Sequence, residues 1–82
     1  MPIDNPIWDR ETDKHCLQVS FDTFAVRAEA QAACIEFGAH CGGVEDLRCD
    51  DRSMFSLCST TALEMSRAGS CVYTPAGVSS QA

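Results

Sequence analysis

"VRAEAQAACIEFG", residues 26–38, decides how the rest of the chain is read. Its apolar positions Val26, Ala30, Ala33, Cys34 and Phe37 recur at helical spacing. Alanine is the strongest helix former, and Gly38 is a natural residue to end the run. The stretch predicts a helix that carries Cys34 on its buried face one turn before its end, within reach of a strand packed beneath.

On either side of the helix the period changes. Upstream, "CLQVSF" (residues 16–21) alternates Leu17, Val19 and Phe21 against Cys16, Gln18 and Ser20, the pattern of a half-buried strand. Downstream, "GGVEDLRC", then "MFSLC" with Phe55 and Leu57 alternating, then "SCVYT" with Val72 and Tyr73, read as short strands. "DDRS" between the first two is turn chemistry, because Asp and Ser side chains bond their own backbone. "STTALEMSRAG" fits a loop or a short helical turn. A strand, a helix and then several strands predict a small disulfide-rich α+β domain with one helix packed on an antiparallel sheet. Residues 1–15 read as an irregular lead-in that docks, if at all, through Ile7 and Trp8. Residues 75–82, "PAGVSSQA", read as a flexible tail, which leaves 16–74 as the folded unit.

A chain of 82 residues makes one domain whose core alone gives marginal stability. Its six cysteines are an even number and suit three bridges, which persist outside the cytosol. The expected location is therefore secreted or cell-surface. "MPIDNPIWDR" has neither a basic nor an apolar signal region, so the expectation is a mature domain cut from a longer precursor. No apolar run is long enough to cross a bilayer, and no membrane insertion is expected. Twelve acidic against six basic residues give a net charge of -6, which repels phosphate backbones and argues against nucleic acid as a partner.

The same spacing argues against catalysis and metal. Successive cysteines are separated by 17, 6, 7, 8 and 12 residues, with none of the close pairs that zinc or thiol redox chemistry uses. His15 and His40 each precede a cysteine, but strand neighbours point to opposite faces, so adjacency works against a nucleophile and base pair. Serine-hydrolase, zinc-protease and phosphate-loop motifs are missing. No enzyme and no cofactor is expected. Glu45, Asp46, Asp50 and Asp51 are oxygen donors suited to calcium, but without the spacing of an EF-hand loop.

A cysteine on an alanine-rich helix, "AEAQAAC", then "CGGV", a cysteine before a turn, "LC" on a strand and a closing "SCVY" resemble the PAN/apple family of extracellular modules over about Cys16 to Thr74. The resemblance implies nested pairing: Cys34 to Cys58, Cys41 to Cys49 inside it, and Cys16 to Cys71 tying the ends. It also implies non-catalytic binding of an extracellular protein or a carbohydrate, with self-association known among such modules. On that pairing Glu45, Asp46, Arg48, Asp50, Asp51 and Arg52 form a polar cluster on a stapled, exposed surface and are the candidate ligand-binding residues. Two other readings fit the same features. One is a small secreted effector or protease inhibitor that presents the rigid loop, and the other an acidic calcium- or mineral-associated matrix protein.

Overall fold

The computed structural model describes residues 8–52 and 54–75. Of the expected tail at 75–82, Pro75 is instead the last residue of a strand and 76–82 lie outside these residues, as does the expected docking of Ile7. The elements in chain order are strands β1 (Trp8–Thr12), β2 (Lys14–Cys16) and β3 (Val19–Phe24), helix α1 (Arg27–Phe37), and a 3₁₀ turn at Gly38–His40. Strands β4 (Gly43–Asp46), β5 (Phe55–Cys58), β6 (Leu63–Met65) and β7 (Cys71–Pro75) follow.

The helix forms where the alanine-rich period places it, with Ala30 and Cys34 buried. It ends at Gly38, whose φ of 58° and ψ of -123° suit glycine and whose N–H bonds the Cys34 and Ile35 carbonyls. β1, β7, β4, β5 and β3 make a five-stranded sheet in that order, every neighbour antiparallel, and β2 pairs with β6 in a separate ribbon. The fold is thus a small disulfide-rich α+β domain with one helix on an antiparallel sheet.

Strand alternation divides the sheet into two working faces. Val44 lies opposite both Leu57 and Tyr73, and this row packs with Phe55, Cys71, Ala30 and Cys34 beneath the helix. Glu45 lies opposite Ser56 and Val72 on the other face. There Val72 and Cys58 pack with Cys16 and Leu63 of the ribbon. Helix, sheet and ribbon therefore stack as three layers.

This parity corrects the nested cysteine pairing. All six cysteines are bonded, as Cys16–Cys58, Cys34–Cys41 and Cys49–Cys71, with Cα separations of 5.5, 5.2 and 5.1 Å. Leu57 faces the helix, so its neighbour Cys58 faces the ribbon and meets Cys16, not Cys34. Cys71 faces the helix side and meets Cys49, not Cys16. Cys34 instead bonds Cys41, which the 3₁₀ turn brings back beside the last turn of the helix.

Other expectations change as well. The segment 16–21 is not one half-buried strand: β2 ends at Cys16, β3 begins at Val19, and Leu17 and Val19 are 50% and 47% exposed. Residues 8–15, expected to be part of an irregular lead-in, instead supply β1 and most of β2. β1 has no apolar alternation and forms because β7 offers it a free edge, in register from Trp8 opposite Pro75 to Thr12 opposite Cys71. Trp8 docks as expected, packed against the helix-side core. Leu63–Met65, left open between loop and helical turn, is the strand that pairs with β2. No helix among the described residues is long and apolar enough to cross a membrane.

Candidate functional site

The loop of residues 47–54 joins β4 to its neighbour β5, and its base is built around one side chain. Asp46, the last residue of β4, is fully buried. Its Oδ1 accepts the Cys49 N–H at 3.0 Å and its Oδ2 accepts the Asp51 N–H at 2.8 Å. The Asp46 carbonyl takes the Cys49 N–H as well, at 3.1 Å. A buried carboxylate needs such donors, and hydrogen bonds to a charged acceptor are the strong ones. Cys49–Cys71 then bolts the loop to β7, whose Cys71 and Tyr73 belong to the helix-side core.

Above this base the chain is tightly coiled. Cys49, Asp51 and Met54 have φ of 54°, 59° and 71°, a region that non-glycine residues enter only when the surroundings hold them there. The Asp50 Oδ1 accepts the Arg52 N–H at 3.1 Å, the side-chain turn that "DDRS" predicts. Arg27, at the start of α1, braces the outside: its guanidinium lies 3.4 Å from Asp51 Oδ1 and 4.8 Å from the centre of the Tyr73 ring. Between the first turn of the helix and this loop runs a groove of about 520 Å³ lined by Val26, Arg27, Gln31, Asp51 and Arg52 among others.

The six residues expected to form one exposed cluster fall into two groups. Arg48, Asp50, Asp51 and Arg52 are exposed on the loop, two charges of each sign, with apolar Leu47 and Met54 exposed beside them. Glu45 and Asp46 do not belong to that surface, being only 9% and 0% exposed. They also point apart, Asp46 toward the loop base and Glu45 toward the ribbon, where its Oε1 accepts the Cys16 N–H at 2.8 Å. Both are placed by the strand period, which sends neighbours to opposite faces. Among the described residues no three His, Cys, Asp or Glu side chains converge as a cation site.

The role of Asp46 had a local signal: an aspartate at the end of a strand, three residues before a cysteine and a turn, is an Asx-type anchor for the N–H groups that follow. The bond from Glu45 had none, since it joins residues 29 apart in the chain. Compared with known proteins, the chain has no significant match to any family model, curated protein or solved structure.

Proposed function

We propose that the chain is an extracellular, non-catalytic binding module whose stapled loop, residues 47–54, meets a protein or glycan surface. The observation that carries this is the loop base: a fully buried Asp46 holding two loop N–H groups, reinforced by Cys49–Cys71. So much internal support under an exposed segment leaves little conformational freedom to lose on binding. Arg48, Asp50, Asp51 and Arg52 supply directional polar contacts, and Leu47 and Met54 supply apolar area. Three disulfides in a chain of this size support an oxidising, extracellular setting. The PAN/apple resemblance implies binding of a protein or carbohydrate, but its implied cysteine pairing is not the one made here, so the loop itself is the basis of the assignment.

The left-handed backbone of Cys49 and Asp51 favours a binding platform over an inhibitory loop, which lies extended in a protease cleft and pairs as a strand. A calcium-held surface is disfavoured because Glu45 and Asp46 face away from each other and are already bonded to backbone N–H groups.

The test is a binding screen of the oxidised chain against arrays of glycans and extracellular proteins, repeated with the double variant Asp50→Ala, Asp51→Ala. A ligand held by the parent and lost by the variant, with the melting temperature within a few degrees, supports the assignment. Unaltered binding by the variant moves the site elsewhere. Stoichiometric loss of protease activity on titration replaces the assignment with inhibition.

A further inference from the structure

The opposite face of the sheet holds a second recess, independent of the loop tip. It is a cleft of about 470 Å³ between the ribbon and the start of the β4 to β5 loop, lined by His15, Glu45, Leu47, Met65, Ser66 and Arg67 among others. Its walls are fixed by hydrogen bonds. Ser66 Oγ accepts the Ala68 and Ser70 N–H groups at 3.2 Å, and the Ser70 hydroxyl donates to the Leu47 carbonyl at 2.7 Å. His15 lies on the rim, with Nε2 3.3 Å from Glu64 Oε1.

Glu45 is the unusual member. It is nine-tenths buried, yet only its Oε1 is used, by the Cys16 N–H. Among the described residues its Oε2 accepts no hydrogen bond and no cationic side chain lies within 4.0 Å of the carboxylate. The one enclosed side-chain oxygen without a partner among the described residues is Ser20 Oγ, so Glu45 Oε2 is open to the cleft rather than sealed from water. Here the open oxygen belongs to a side chain that lines a cleft with exposed Leu47 and Met65 at its edge. Arg67 also lines the cleft, and among the described residues it has no carboxylate within 4.0 Å, Glu45 included.

We propose that this cleft receives a single cationic side chain of lysine type, its ammonium on Glu45 Oε2 and its methylene stem against Leu47 and Met65. The chemistry fits on three counts. An ammonium is compact enough to reach one open oxygen, a four-carbon stem suits an apolar rim, and a chain of net charge -6 attracts basic partners from a distance.

The probe is Nα-acetyl-lysine methylamide, titrated into the isotopically labelled oxidised chain at low salt and followed through backbone amide shifts. Its uncharged counterpart is the norleucine analogue. Saturable shifts at Glu45, Leu47, Met65 and Ser66 with the lysine probe alone support the proposal. Glu45→Gln keeps an oxygen for the Cys16 N–H but removes the charge, and weakens binding roughly tenfold or more. Arg67→Ala, an exposed change that leaves the fold intact, tightens binding by removing the repelling cation, and so tests the cleft even where Glu45→Gln unfolds. Equal binding of the norleucine analogue, no saturable shift, shifts confined to residues 48–52, or unaltered affinity in folded Glu45→Gln would each overturn it.

Discussion

The three bridges differ in the length of chain they close, and this sets an order of stability that thermal melting can read. Removing Cys16–Cys58 by changing both residues to alanine releases a constraint spanning 42 residues, whereas removing Cys34–Cys41 in the same way releases one spanning 7. On the chain-entropy account these are worth about 4 and about 2.5 kcal/mol. The cavity contributions nearly cancel, because each double variant removes two sulfurs from buried sites. The inner bridge shortens the outer loop by only a few residues, so the order survives their nesting. A difference of about 1.5 kcal/mol corresponds to roughly 6–12 °C in a domain of this size. Circular dichroism melts of the two variants, with the remaining bridges verified by mass spectrometry of unreduced peptides, measure it directly. Cys34→Ala with Cys41→Ala keeps a cooperative transition, because the helix stays packed through Ala30 on Val44 and Leu57. If that variant melts below the Cys16→Ala, Cys58→Ala variant, or the two melt together, loop closure is not what the bridges contribute.

Two further changes probe the layers separately. Asp46→Ala orphans the Asp51 N–H and leaves the Cys49 N–H only the main-chain carbonyl of residue 46, and is expected to cost about 2 kcal/mol in urea unfolding, with Asp46→Asn falling between it and the parent. Gly42→Ala places a methyl group against the Thr60 carbonyl oxygen, a backbone atom that cannot swing aside, and is expected to cost about 1–3 kcal/mol by the same measurement. A midpoint like the parent's for either variant contradicts the packing described for it.

Local pattern carried the helix and the strands that feed the core. Val26 to Gly38 and the alternation of Phe55 and Leu57 depend on neighbours a few residues away, and the structure has them where the period puts them. What the pattern did not carry was partnership at long range. β1 is held by β7, which lies at the far end of the described chain, so nothing within "WDRET" marks it as a strand. The same limit separated the cysteines from their partners. Order along the chain leaves the pairing open, whereas the side of the sheet that each cysteine faces settles it. At the candidate site the charged tip from Arg48 to Arg52 was legible as exposed turn chemistry. Glu45 and Asp46 were not distinguishable from it, because burial of a carboxylate depends on donors that only the folded chain brings close.

The register of β1 on β7 sets Trp8 directly across from Pro75. The start of β1 and the end of β7 are thus side by side, about 5 Å apart in the hydrogen-bonding direction. A unit with that geometry can be spliced into a surface turn of a host protein without prising the host's ends apart, or strung with copies of itself like beads. It can equally be recut, with Trp8 and Pro75 joined by a short linker and new termini opened between β5 and β6.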